Sequence, residues 1–318
     1  MSKCISKAGW LARAALAALL GTGGAHAQVL ERSDGYLEGC NAIIYYEVIG
    51  HGRPLVVLHG GPGDTHEYFL PYLLPLARHH KLVFIDERGS GRSQRLTDVS
   101  QYTLANMACD VDALRRTLSL GDTDVMGHSF GGILAQAYAV NYPAHVRRLI
   151  LAGTGSSAAR VDDDFKIILG RLPASQRDKI AAREAKGVIG PDGAQLQEYR
   201  KLADEVELPY NYVVRPPAWS DTSDPLSWDV LTQMWGSRSD FHIDGNLKGF
   251  DFVPQLQRLS IPTLVIAGDH DLVSRATLEQ THSALRNSRV VVLEHSGHMM
   301  FVDQNDAFLR AVSAFLEE

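Results

Sequence analysis

From Asn41 onward, short apolar runs alternate with longer amphipathic ones, and this alternation limits the available folds more than any other feature of the chain. Residues 42–48, 54–58, 81–85, 124–126 and 148–151 read as strands, and Leu82-Val83-Phe84-Ile85 is apolar throughout, as in a strand buried on both faces. Residues 103–118 read as a helix, because Leu104, Met107, Val111, Leu114 and Leu118 recur at spacings of three and four. A second helix is expected over 133–141. Between 155 and 250 the pattern stops, and the chain becomes more polar and holds Tyr210, Tyr212, Trp219, Trp228 and Trp235. It then resumes with strands over 262–267 and 289–293 and helices over 276–285 and 305–315. Strands separated by helices imply parallel pairing through right-handed crossovers. The expected fold is therefore α/β, a mostly parallel, doubly wound sheet. Its core comprises residues 28–154 and 251–318, with 155–250 inserted as a helical lid. Two independent domains would leave the last two strands without a sheet to join.

Composition adds exclusions. A chain of 318 residues, 45% hydrophobic and 21% charged, is in the globular range. At this length folding buries roughly 75% of the unfolded surface, so neither a metal nor a disulfide is required as a staple. Residues 1–27 read as an export signal: Lys3, Lys7 and Arg13 precede an apolar run over 14–20, and Ala25-His26-Ala27 fits the cleavage pattern. The run is shorter than the roughly 20 residues a membrane span needs, and no later run is longer. The expected protein is exported, periplasmic or secreted, with no stable membrane insertion. Without that segment 28 basic residues face 37 acidic ones, a net charge of −9 that argues against a nucleic-acid partner. Two cysteines remain, Cys40 and Cys109. An oxidising compartment would permit a bridge, but two cysteines do not make a framework, and the sequence leaves their pairing open.

The chemistry is concentrated in three places. Gly127-His128-Ser129-Phe130-Gly131 is short enough to arise by accident, but a strand precedes it and an alanine-rich helix follows, the setting of a nucleophile elbow. A serine hydroxyl needs a base, and the base an orienting acid. The strand over 262–267 runs into Gly268-Asp269-His270-Asp271, and the strand over 289–293 into Glu294-His295-Ser296-Gly297-His298. In a parallel sheet both loops emerge at the edge that carries Ser129. Asp271 is preferred as the acid over Asp269, which lies nearer its strand, and His298 as the base over His295. Backbone N–H groups of Phe130 and of Gly61, within His59-Gly60-Gly61-Pro62-Gly63, are the expected oxyanion donors. Trp235 is a candidate for lining a pocket for a small ring. No metal-ligand cluster or nucleotide loop stands out, so no metal and no cofactor are expected. The oligomeric state is not legible.

On these residues the chain resembles the α/β-hydrolase fold and, within it, the proline iminopeptidase family of serine peptidases. The resemblance rests on the segment from His59 to Gly63, on Asp86-Glu87-Arg88-Gly89-Ser90-Gly91-Arg92-Ser93, and on the elbow at Ser129. Met234-Trp235-Gly236 and Asp240-Phe241 resemble the lid of the aminopeptidase branch. The resemblance implies release of an N-terminal residue, often proline, from short peptides, amides or arylamides. It also implies that Asp240 receives the substrate's amine. Asp240 stands where relatives carry a glutamate, Leu272 stands where the aminopeptidase branch carries a second acid, and His128-Ser129-Phe130 is a pattern common in general esterases. A carboxylesterase or lactonase using the same three residues is the alternative.

Overall fold

The computed structural model describes residues 30–186, 193–211 and 226–318. The expected export signal, Tyr212 and Trp219 lie outside the described residues. Eight strands form one sheet: β1 (Arg32–Glu38), β2 (Ile43–Ile49), β3 (Arg53–Leu58), β4 (His80–Ile85), β5 (Thr123–His128), β6 (Val146–Ala152), β7 (Thr263–Gly268) and β8 (Ser288–Leu293). Their order across the sheet is β1-β2-β4-β3-β5-β6-β7-β8. From β4 to β8 every pairing is parallel, whereas β1 and β2 are antiparallel to their neighbours. β7 pairs with β6, so the late strands complete the first sheet and do not form a second domain.

The period of two along each strand divides the core. Val56 and Leu58 of β3 face one apolar layer, with Met107, Val111 and Leu114 of α1 (Leu104–Thr117) and Leu134 and Tyr138 of α2 (Phe130–Asn141). Leu55 and Val57 face the other, with Phe69 and Leu73 and, from the C-terminal helix, Phe308, Val312 and Phe315. The sheet is thus covered on both faces.

Between β6 and β7 the regular elements among the described residues are helices. The insertion contains α3 (Ala158–Gly170), α4 (Ala174–Glu184), α5 (Gly193–Asn211) and α6 (Trp228–Met234). They share an apolar cluster of their own, including Phe165, Ile168, Ile180, Tyr199, Leu231 and Phe241, against which Trp235 and Leu272 pack. After β7 comes α7 (Arg275–Ala284), and the longer of the helices after β8 is α8 (Asn305–Glu317).

The strand β1 carries no alternating pattern and is absent from the sequence-based expectation. It adds to the edge through backbone pairing with β2, with most of its side chains in solvent. Cys40, just past β1, is bridged to Cys109 on α1, with 5.9 Å between their Cα atoms. The pairing left open by the sequence is therefore made, and it fastens the antiparallel edge to the helix layer.

The segment Asp86–Ser93 is an internal brace. Arg88 is fully buried, and its guanidinium donates to both oxygens of Asp110 at 2.7 Å and to the Cys40 carbonyl at 2.8 Å. Asp86 accepts from the Arg92 amide, and the Ser93 hydroxyl donates to the Asp86 carbonyl while accepting from the Tyr45 amide. Buried His66 lies between Asp86, at 2.6 Å, and Glu47, at 3.2 Å. Burial alone would lower its pKa, but the two carboxylates raise it to about 9.

Candidate active site

Five loops meet at the carboxyl edge of the sheet, after β3, β5, β6, β7 and β8, where open α/β sheets carry their sites. Ser129 follows β5 at φ 56° and ψ −122°, a conformation that residues with a side chain rarely adopt. Its amide donates to the Ala152 carbonyl, and its carbonyl accepts from the Gly132 amide, both at 2.9 Å, so the turn is held from two sides. The flanking glycines follow from space. A Cβ on Gly127 would strike the Gly131 carbonyl, and one on Gly131 would strike the carbonyls of Leu58 and His59. For the same reason α2 begins at Phe130 and not at residue 133: Gly131 and Gly132 read as loop but are the helix turn that packs on β3 and β6. Phe130 is the first residue of that helix, with its amide at the positive end of the helix dipole.

The two loops predicted to supply acid and base meet. His298 Nδ1 lies 2.7 Å from Asp271 Oδ1, and both side chains are buried. Asp271 Oδ1 also accepts from the Val273 amide at 2.9 Å. The rejected candidates do other work. Asp269 accepts from the Ser296 amide at 3.0 Å and pairs with His270, which together overcome burial and hold its pKa at about 2. His295 is exposed, at the turn into the His298 loop. The backbone of His298 is gripped from the insertion: its amide donates to the Tyr210 carbonyl at 2.6 Å, and the Met299 amide donates to the Asn211 carbonyl at 2.9 Å, both at the end of α5.

Gly153, just beyond β6, has no sequence signature, yet it shapes the pair. It sits at φ 55°, and a Cβ there would lie 3.0 Å from His298 Nδ1 and 3.1 Å from Asp271 Oδ2. Gly153→Ala is expected to lower kcat/KM by roughly 10–100-fold through displacement of the imidazole, with a stability loss of about 1–3 kcal/mol from the forced positive φ. Steady-state kinetics beside urea unfolding measure both, and unchanged kinetics in a folded variant would remove Gly153 from this role.

Ser129, Phe130, Gly153 and His298 line one small cavity, with about 60 Å³ of open space, whose remaining wall includes Ile133, Val161, Phe165, Trp235, Leu272 and Val273. The wall is largely apolar. Its one carboxylate among the described residues, Asp164, is engaged with Arg160 at 3.0 Å, the Ser274 amide at 3.0 Å and the Thr277 hydroxyl at 2.5 Å. Asp164 thus ties α3 to the loop that carries Asp271, a link over 110 residues that sequence reasoning missed. Trp235 stands edge-on to Phe165, and its indole donates to the Asp240 carbonyl at 3.1 Å. Asp240 is not among the cavity's described lining residues; its amide donates to the Tyr199 hydroxyl at 2.9 Å.

Gly61 has φ 111° and is followed by a cis bond to Pro62. The neighbouring Gly60 amide donates to the Tyr68 hydroxyl at 2.6 Å. Behind this loop, His59 Nδ1 donates to the Gly60 carbonyl and Nε2 accepts from the Glu87 amide, so the buried ring is neutral; burial lowers its pKa to about 4. Burial also pushes the Glu87 carboxyl well above its ordinary range. A hydroxyl on a strained turn, an imidazole paired with a buried carboxylate, and glycine-rich backbone beside a helix N-terminus are together the equipment for acyl transfer.

Comparison with known proteins agrees with this architecture. Residues 53–304 match the family described as alpha/beta hydrolase fold. A proline iminopeptidase of Heyndrickxia coagulans is 30% identical over 271 residues, 84% of this chain and 91% of that one. A proline iminopeptidase of Saccharolobus solfataricus is 28% identical over 300 residues, 90% of this chain and 92% of its own. Among solved structures, the proline iminopeptidase of Mycobacterium smegmatis superposes with a TM-score of 0.78 at 25% identity, over 90% of this chain and 98% of that one. VinJ superposes with a TM-score of 0.79 at 24% identity, over the same shares of the two chains, which speaks to the fold alone.

Proposed function

The chain belongs to the alpha/beta hydrolase fold and, within it, to the proline iminopeptidase family, and from that premise we propose that it is a serine aminopeptidase releasing a small N-terminal residue from short peptides or amino-acid amides. Ser129 attacks the acyl carbon, and His298 takes the hydroxyl proton and returns it to the departing amine. Asp271 keeps the imidazole in the tautomer that can accept, and the amides of Phe130 and Gly61 receive the oxyanion. Water then repeats the sequence to free the enzyme. The observation that carries the proposal is the common cavity of Ser129 and His298, with Asp271 bonded to the far nitrogen of the ring. Its size and apolar wall suit a pyrrolidine or a short aliphatic side chain.

One observation favours the ester reading as the second. Leu272 lies in the cavity wall, where the resemblance calls for an acid, and the wall's described carboxylate is neutralised by Arg160. The two readings part on a single comparison. Proline p-nitroanilide is expected to be cleaved at least about tenfold faster than its N-acetylated form, because a held ammonium contributes a charge-assisted bond. Equal rates on the two, with faster cleavage of p-nitrophenyl butyrate, would replace the aminopeptidase by an esterase.

A further inference from the structure

One chain of hydrogen bonds, buried at His128 and partly exposed at Tyr68, lies beside the reacting groups without belonging to them. The Gly60 amide donates to the Tyr68 oxygen at 2.6 Å. Tyr68 Oη lies 2.9 Å from His128 Nδ1, and His128 Nε2 lies 3.0 Å from the carbonyl oxygen of His298. With His128 neutral, the proton count allows one arrangement. An amide can only donate and a carbonyl can only accept, so the single Tyr68 proton goes to Nδ1 and the single His128 proton to the carbonyl. A second proton on His128 would reverse the Nδ1 contact, with Tyr68 accepting and its own proton turned away from the ring. Burial, reinforced by the nearby His298, holds the His128 pKa well below the usual histidine range. The rings are also packed in place, with His128 and His298 4.7 Å apart at their centroids and Phe301 edge-on to His128 at 5.1 Å.

We propose that Tyr68 and His128 are positioning residues, a neutral relay that fixes the distance between the oxyanion loop at Gly60–Gly61 and the backbone of the base, His298. The inference rests on the reading of His298 as the base, and it goes beyond the glycine-serine pattern, in which position 128 is unspecified. The geometry makes the relay the second half of a clamp. Tyr210 of the insertion holds the His298 amide, Asp271 holds its ring, and His128 holds its carbonyl. With all three in place the imidazole has little freedom to turn, and the oxyanion donors move with it. Tyr68→Phe breaks the chain at its centre: the Gly60 amide loses its acceptor, Nδ1 loses its donor, and the tautomer that serves His298 is no longer enforced.

The test is the rate at which a fluorophosphonate labels Ser129, measured beside kcat, KM and thermal unfolding. Tyr68→Phe is expected to lower both the labelling rate and kcat by roughly 10–100-fold, with KM within about threefold. His128→Gln, whose side-chain amide can still donate to the His298 carbonyl, is expected to retain at least about fivefold more activity than His128→Leu, per folded molecule. Wild-type labelling rates in Tyr68→Phe, or equal losses in the Gln and Leu variants, would overturn the relay while leaving the hydrolase reading intact, provided Ser129→Ala abolishes labelling. A wild-type protein that takes no label would overturn both.

Discussion

Replacing Ser129 by alanine is expected to lower turnover by about 10⁴–10⁶-fold with no change in the unfolding midpoint. The side chain is half-buried and its removal opens no sizeable cavity, and the turn is held by the Ala152 carbonyl and the Gly132 amide, which the substitution leaves in place. Asp271→Asn is expected to fall into a similar range, because an amide facing Nδ1 stabilises the wrong tautomer and the ring then presents a proton to Ser129 instead of accepting one. The three groups act as a unit, so Ser129→Ala with His298→Ala should be no slower than the worse single variant. Turnover of Ser129→Ala within tenfold of wild type, on whichever substrate proves best, would mean that the hydroxyl is not the nucleophile.

The largest stability effect is expected at Arg88, far from that hydroxyl in role. Arg88→Ala leaves the Asp110 carboxylate buried without its bidentate partner and strips the Cys40 carbonyl of a donor. Loss of one member of a buried ion pair costs about 3–5 kcal/mol, since the charge left behind is neither hydrated nor paired. Burial already tends to raise the Asp110 pKa against the pull of Arg88, so removing the guanidinium should drive the carboxyl to its neutral form. Arg88→Lys is expected to recover only part, because an ammonium cannot span both oxygens. Arg88→Met combined with Asp110→Leu should recover most of the loss, since a matched apolar pair leaves no orphan charge. Urea unfolding with the Cys40–Cys109 bridge intact measures the series; a cost below about 1 kcal/mol for Arg88→Ala would show that the pair is solvated.

The same contrast explains what could be read from the chain before folding it. Strands β2 to β8 were legible as short apolar runs, most plainly β3 to β7, where burial on both faces demands them, and the loops after β5, β7 and β8 followed from the parallel pattern. Asp271 and His298 could be ranked above Asp269 and His295 by position alone, and the structure brings that pair to 2.7 Å. What escaped depends on backbone or on distant partners. The edge strand β1 pairs through amides and carbonyls, which every residue possesses. Gly153 matters for the atoms a side chain would displace, and those atoms lie 118 and 145 positions further along the sequence. Asp164 looks like one more helix-surface acid until α3 is docked against the loop after β7. The Asp86–Ser93 segment marked the family, but its work as a brace for Tyr45, His66 and Asp110 appears only once β2 and α1 lie beside it.

The grip of α5 on the His298 loop bears on how such enzymes can be recombined. Swapping insertions between relatives is an obvious way to transplant substrate preference, on the assumption that the sheet supplies chemistry and the insertion supplies taste. Here two carbonyls at the end of α5, those of Tyr210 and Asn211, close the ladder on the very loop that carries the imidazole. A chimera joined without regard to that seam would inherit a new pocket and a slack proton carrier together. The boundary for grafting runs through those two hydrogen bonds, and a donor helix must end in the same register to be exchanged cleanly.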